Sequence, residues 1–389
     1  MAKRLILAVA GAGKTRTICR QLNPGTKNLL LAFTHENIKN FHRELEGAFG
    51  GCPELTDVMT FHSFVHRFVV RPYMPSILAH FPDAKRPQGM TMRTSPPKIL
   101  KTKTGRCIPN PNYATKDTWE HYVDRENRLY CDTLCELVTV VKKGKRRLLD
   151  RIVAGINRCY DHVAIDEFQD FREYEFELLE GLARGLDDVV LVGDYYQHSV
   201  AARNNSGKPF AGRAKSVSYA EFVNDMEKKG FSVDTTSLSA SYRCSSEICE
   251  FVSRKLDISI KSSGVSNGRV RLVPDKEIED VLHNPDIVKL VDKESDKKDC
   301  SPCLNWSYSK GDTYEHVCVI LTGKCSGIVD DNFSFDCSEI KPATRNKLYV
   351  ALTRTKGDLL LVTKKQFDRW KSPSTKMAPE QLELELFRL

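Results

Sequence analysis

Short, almost uninterrupted apolar runs recur along the chain, each followed by a segment with helical spacing. Leu5–Val9 leads into a glycine-rich turn and a helix opening at Lys14. Asn28–Phe33 precedes a helix running toward Phe49, for which Thr34 supplies the cap. Val58–Thr60 gives way to a helix opening at Phe61 with Phe64, Phe68 and Val69 on its apolar side. Strands that alternate with helices in this way predict a parallel, doubly wound α/β sheet, whose ligands gather at the carboxyl ends of the strands.

The alternation breaks at Arg71–Lys116, where eight prolines from Pro72 to Pro111 predict an irregular insert. Helical spacing resumes near Trp119 and is expected to reach about Ile156. A strand at Val163–Ile165, a helix at Glu173–Arg184 and a strand at Val189–Val192 return to the first pattern, and a helix at Tyr219–Lys229 follows. Beyond a boundary near residue 235 come strands at Arg269–Val273 and Cys318–Leu321, a helix at Thr344–Thr353 and a strand at Leu359–Thr363. The expected division is therefore 1–235, with its insert at about 71–156, and 236–389. Leu382, Leu384 and Leu386 fall in a frayed or partner-binding tail.

Length and composition suit two domains with packed cores: 389 residues, 41% of them hydrophobic. No apolar run is long enough for a membrane span, so no membrane partner and a cytoplasmic monomer are expected. The net charge of +8 suits a surface that meets a polyanion. The cluster Lys142, Lys143, Lys145, Arg146 and Arg147 reads either as a solvated face or as a set of phosphate contacts. Thirteen cysteines are read as reduced thiols. Cys300 and Cys303 have the spacing of half a zinc site, but no second pair accompanies them.

The specific chemistry begins at Ala8–Arg16. Gly11, Ala12 and Gly13 give a tight turn whose amides converge, and the helix that opens at Lys14 turns its free N–H groups and positive dipole end toward the same point. Lys14 adds a mobile cation for the β- and γ-phosphates, and the Thr15 hydroxyl is placed to ligate Mg²⁺. Ala8 stands where the strict motif has glycine. After Val163–Ile165 comes Asp166-Glu167-Phe168-Gln169-Asp170. An aspartate at a buried strand end holds the magnesium of a nucleotide, and the neighbouring glutamate takes a proton from attacking water. The strand Val189–Val192 ends in Gly193-Asp194-Tyr195-Tyr196-Gln197, which brings Gln197 within reach of a γ-phosphate.

The order of these motifs resembles the UvrD/Rep (PcrA-like) branch of superfamily 1 helicases. The residues that carry the resemblance are AGAGKTR, AFTHEN, TFHSF, IDEFQD, VGDYYQ, SYR at Ser241–Arg243, YSKGDTYEHV and LYVALTRTKGDLLLV. It implies two RecA-like domains of the P-loop NTPase class, with ATP between them and single-stranded DNA across them, RNA not being excluded. Glu167 is then the catalytic base, Gln169 and Gln197 sense the γ-phosphate, Tyr242 stacks on the base, and Arg243 and Arg354 act as arginine fingers. Ala10, Arg16 and Gly311 join the nucleotide contacts. Phe33, Thr34, Thr60, Phe61, His62, Arg203 and Lys310 form the nucleic-acid track, with Phe33 and Phe61 equally readable as core aromatics.

Departures from the family pattern qualify what the resemblance implies. Seven residues precede Ala8, too few for the family's upstream glutamine motif that reads adenine, so other nucleoside triphosphates besides ATP are expected to be accepted. Val200 and Ala202 replace two base-stacking aromatics, and Thr313 replaces a ribose-contacting glutamate. The span between Arg243 and Lys310 is too short for the family's large accessory domain. These features favour translocation on a single strand over robust unwinding, and the resemblance implies that the movement runs 3′ to 5′. The alternative is a nucleotide-gated ATPase that regulates a nuclease or other effector, as in compact helicase-like defence subunits.

Overall fold

The computed structural model describes residues 2–102, 105–143, 146–198, 207–211, 216–307, 309–336 and 340–372. The chain divides into two compact units, Met1–Ala8 with Lys14–Ser237 and Val9–Gly13 with Leu238–Leu389.

The first unit is built on six strands: β1 (Ala2–Leu7), β2 (Asn28–Ala32), β3 (Thr56–Thr60), β4 (His162–Asp166), β5 (Asp188–Gly193) and β6 (Ser232–Asp234). They lie in the order β6-β1-β5-β4-β2-β3, every pair parallel. The helices α1 (Lys14–Gln21), α2 (His35–Phe49), α3 (Leu148–Ile156), α4 (Glu173–Gly185) and α5 (Tyr219–Lys228) supply the crossovers and cover. The apolar runs are continuous because the central strands are buried on both faces. Leu29 and Leu31, Val163 and Ile165, and Val189 and Leu191 have no exposed surface or almost none, and they share a core with Ile152, Leu178, Leu179 and Leu182. Each such side chain contributes about 1.5–3 kcal/mol of burial. Thr34 caps α2 by accepting from the Asn37 amide, and Gly50, at φ 72°, closes its far end.

The insert departs from the expected single helical stretch between Trp119 and Ile156. A short turn at Trp119–His121 is followed by a strand, Arg128–Tyr130, paired in parallel with Gly89–Thr91. A helix at Leu134–Val140 and an antiparallel pair, Lys142–Lys143 with Arg146–Arg147, precede α3. Local chemistry breaks the helix. The Asp124 carboxylate accepts from the Arg128 backbone amide at 2.9 Å and from its guanidinium at 2.6 Å, closing a loop in which Asn127 is left-handed at φ 54°. Farther on, the run Val138-Thr139-Val140-Val141 is β-branched and gives out into extended backbone at Val141.

The second unit holds β7 (Val270–Leu272), β8 (Ile287–Val291), β9 (Cys303–Asn305), β10 (His316–Ile320) and β11 (Leu359–Val362), with α6 (Ser246–Leu256), α7 (Pro342–Leu352) and α8 (Lys364–Lys371). Its order is β7-β11-β10-β8-β9, again wholly parallel. Cys318, Ile320, Leu360, Val362 and Phe367 anchor a core between sheet and helices. Among the described residues no helix is long and apolar enough to cross a membrane. Leu382, Leu384, Leu386 and Lys145 lie outside the described residues.

Candidate nucleotide site and nucleic-acid surface

In the first unit the chemistry collects where β1, β4 and β5 end. The register pairs Leu7 with Gly193 and Asp166 with Val192, so the segments after these strands leave the sheet side by side. Lys14 and Thr15 open α1, whose first turn carries no acidic residue to compete for an anion.

The Thr15 hydroxyl donates to Asp166 Oδ2 at 2.6 Å, and Lys14 Nζ lies 3.3 Å from Glu167 Oε1. Glu167 reaches this position from a left-handed backbone, φ 57°, and its amide donates to Asp166 Oδ1 at 2.9 Å. A non-glycine residue in that region carries a cost that the surrounding contacts must offset. Gln169 joins the two acidic loops: its amide nitrogen donates to Glu167, and its Oε1 accepts from the Asp194 backbone amide at 3.0 Å. Gln197 donates to Asp194 Oδ2 at 2.9 Å. Lys14, Thr15, Asp166, Glu167, Gln169 and Gln197 are thus drawn into one network, and Arg16 points from α1 into an exposed position.

Charge at this network is poised for a cation and an anion together. Burial, followed by repulsion from Glu167, pushes the Asp166 carboxyl up to about 6, against the pull of Lys14 and the Thr15 hydrogen bond. Burial works against the Lys14 ammonium, but Glu167, Asp166 and Asp194 outweigh it and hold its pKa above the ordinary lysine value. The residues therefore fit a magnesium-bound triphosphate. A hydroxyl and a buried carboxylate converge on one point, and a cation stands beside an open helix N-terminus.

The turn Val9–Gly13 groups with the second unit. Gly11 and Gly13 both have positive φ, 73° and 78°, which accounts for glycine at these positions. A Cβ on Gly11 would also lie 2.6 Å from the Arg243 Cβ. The Ala10 amide donates to the Tyr349 hydroxyl at 2.8 Å, and the Gly11 carbonyl accepts from the Tyr242 amide at 2.9 Å. Ala10 and Ala12 are buried.

Arg243 and Arg354 both fasten to the carboxyl end of α7. Arg243 Nη1 donates to the Thr353 carbonyl at 3.1 Å, and Arg354 Nε donates to the Val350 carbonyl at 3.0 Å. Arg354 Nη1 also donates to the Asp312 carbonyl at 3.3 Å, which seats the Lys310–Gly311 turn on the same guanidinium. Gly311 takes φ 93° in that turn. Tyr242 is 59% exposed, so its ring face is available for stacking.

The residues expected on the nucleic-acid track separate into two kinds. Phe33 is partly exposed and meets His62 edge-on with ring centroids 5.1 Å apart. Burial, opposed by the charge of Asp132, lowers the His62 pKa and so favours the neutral ring. Phe61, by contrast, is fully buried against Phe171, centroids 4.6 Å apart, and its ring offers no face for a base. Thr34 and Thr60 use their hydroxyls as helix caps, accepting from Asn37 and Ser63. Arg203, Val200 and Ala202 lie outside the described residues. For zinc, no group of three or more His, Cys, Asp or Glu ligands is assembled among the described residues, so the sulfurs of Cys300 and Cys303 lack the further ligands that zinc takes.

Two residues, one in each unit, escape sequence reading. Asp194 follows β5 and organises Gln197 and the Tyr196 amide, an arrangement signalled only by its place after a buried strand. Tyr349 lies within an apolar helix segment and gives no local sign that its hydroxyl meets the amide of a residue 339 positions away.

A model of the viral superfamily 1 RNA helicase core domain matches residues 116–363, and a model described as an AAA domain matches residues 2–203. No curated protein matches the chain. Among solved structures, the chain is similar to the PRRSV helicase at 14% identity and TM-score 0.43, covering 96% of this chain and 53% of that one. It is also similar to arterivirus nonstructural protein 10, a helicase solved with DNA, at 14% identity and TM-score 0.42, covering 92% of this chain and 60% of that one. The chain thus spans between half and two thirds of the length of these helicases.

Proposed function

This chain belongs to the viral superfamily 1 RNA helicase core family, and we propose that it is an ATP hydrolase stimulated by, and moving along, single-stranded nucleic acid. The observation that carries this reading is the Thr15–Asp166 hydrogen bond of 2.6 Å set beside the Lys14–Glu167 pair at 3.3 Å. Thr15 and Asp166 are the residues that would hold Mg²⁺, which supplies charge neutralisation when bound. Glu167 accepts the proton of the attacking water, and Gln169 and Gln197 orient the acidic loops around it. Lys14 and the amides at the start of α1 hold the phosphates.

Arg243 and Arg354 are proposed to neutralise the charge that develops during phosphoryl transfer, a role worth roughly 10³–10⁵ in rate where it has been measured. Tyr242 and Gly311 join the nucleotide contacts, and Phe33, His62 and Lys310 meet the strand. The finer kinship with UvrD/Rep, and movement from 3′ to 5′, belong to the same proposal. The matching family is described by RNA, whereas one neighbour was solved with DNA, so both polymers enter the test.

The test is the rate of ATP hydrolysis with and without single-stranded RNA and DNA, across a salt titration. Stimulation that falls steeply with salt is expected, since phosphate contacts release counterions. A rate unchanged by either polymer, but raised by a co-expressed protein, would transfer the reading to a partner-gated switch.

A further inference from the structure

The second unit carries a thiol pair that the nucleotide chemistry does not use. Cys300 follows a helical turn at Glu294–Asp299, and Cys303 opens β9, the outermost strand of its sheet. Their sulfurs share a hydrogen bond at 2.9 Å. Cys300 is nearly buried and Cys303 is partly exposed, so one sulfur is sheltered while its neighbour meets solvent.

A buried lysine organises the segment. Lys289, on the adjacent strand β8, has no exposed surface, and its ammonium donates to the carbonyls of Asn284 at 2.5 Å, Ile287 at 2.9 Å and Ser301 at 2.9 Å. Ser301 lies between the two cysteines, so the lysine fixes the backbone that presents both sulfurs. The pairing of β8 with β9 sets Lys289 opposite Cys303.

We propose that Cys300 and Cys303 form a redox-active dithiol that closes to an internal disulfide by exchange with a small-molecule disulfide of the glutathione class. One thiolate of the pair attacks the small disulfide and displaces one thiolate, leaving a mixed disulfide. The other thiolate then attacks the protein sulfur of that mixed disulfide and displaces the second. Two protein thiols lose two electrons and two protons, and one small disulfide becomes two thiols. The surroundings act oppositely on the two thiols, and Cys303 is the more exposed of the pair. The hydrogen bond with Cys303 lowers the Cys300 pKa, burial opposes this, and the charge of Lys289 helps, while Asp296 and Asp299 push the other way. The same hydrogen bond raises Cys303.

The test uses the full chain, equilibrated against graded ratios of oxidised to reduced glutathione, acid-quenched, alkylated and mapped by peptide mass. The expected product is a peptide containing both cysteines that is two hydrogens lighter and escapes alkylation as the ratio rises. Either single variant, Cys303→Ser or Cys300→Ser, should instead stop at one glutathione on the remaining cysteine. Full alkylation of both thiols at every ratio would overturn the proposal, as would a separate glutathione on each. Stoichiometric zinc that protects both thiols in the purified chain would also overturn it. The wild-type map decides the matter if either variant fails to fold.

Discussion

The Thr15 hydroxyl and the Asp166 carboxylate meet across 2.6 Å, although 151 residues separate them in sequence. One stands in the first turn of α1 and the other at the end of β4, so their meeting follows from two elements that leave the sheet at the same edge. Asp166 is almost wholly buried, with a carboxyl raised to about 6, which makes it a costly residue for stability alone. Asp166→Asn should therefore leave the melting temperature unchanged or higher while lowering magnesium-dependent ATP turnover by about 10²-fold or more. Thermal unfolding and hydrolysis assays on one preparation check this. A variant that loses stability and keeps its turnover would show the carboxylate to be structural.

Lys14 and Glu167 form an ion pair in the free chain, and their substitutions should separate binding from chemistry. Lys14→Ala removes the cation that meets the phosphates and should weaken nucleotide binding by about tenfold or more. Glu167→Gln keeps the shape of the side chain but not its basicity. It should bind ATP within a few-fold of wild type and turn over about 10²–10⁴-fold more slowly, the usual worth of a general base. Equilibrium binding and single-turnover rates on both variants distinguish the roles. Equal turnover in Glu167→Gln would remove it as the base.

The strands were legible in the sequence wherever burial on both faces leaves an unbroken apolar run, as in Asn28–Ala32 and Leu359–Val362, both entirely buried. The acidic loops were legible because their carboxylates stand directly after such strands, Asp166 and Glu167 at the end of β4 and Asp194 after β5. The stretch from Trp119 to Ile156 was not. Its folding depends on Asp124 gripping Arg128 and on a two-residue strand pair, neither of which imposes a period on the sequence. Phe61 stayed open for a related reason: an aromatic residue at a strand end reads alike whether it faces a base or, as here, packs against Phe171. The contact of Tyr349 with Ala10 joins residues so distant in sequence that no local pattern marks it.

Gly193 shows how tightly the acidic loops are packed. A Cβ there would fall 2.1 Å from Gln169 Oε1 and 2.6 Å from the Phe168 ring, and both neighbours are buried. Phe168 has little room to yield because it stacks against Phe210 and Phe222. Gly193→Ala should destabilise the chain by about 1–3 kcal/mol, the usual cost of overpacking. It should also reduce turnover, because Gln169 must release either the Asp194 amide or Glu167. Denaturant unfolding gives the first quantity and steady-state hydrolysis the second. A variant that is destabilised but fully active would show that Gln169 can move without disturbing Glu167.

The insert should report pH through His121. Its Nε2 lies 2.9 Å from Glu136 Oε2, and its Nδ1 lies 2.8 Å from the Ala114 carbonyl. Burial opposes the charged ring, but the hydrogen bonds and the charge of Glu136 outweigh it, so the folded pKa sits above the ordinary histidine value of 6.5. The folded chain then holds this proton more tightly than the unfolded chain does. Stability from the pair is complete below the unfolded pKa and declines as pH rises through the higher folded value. Between pH 6 and 8.5, wild-type stability should show a downward contribution that Glu136→Gln removes, because the amide cannot hold the imidazolium. Urea midpoints collected across that range for both proteins decide the point. Parallel pH slopes for wild type and variant would mean that another group carries the proton.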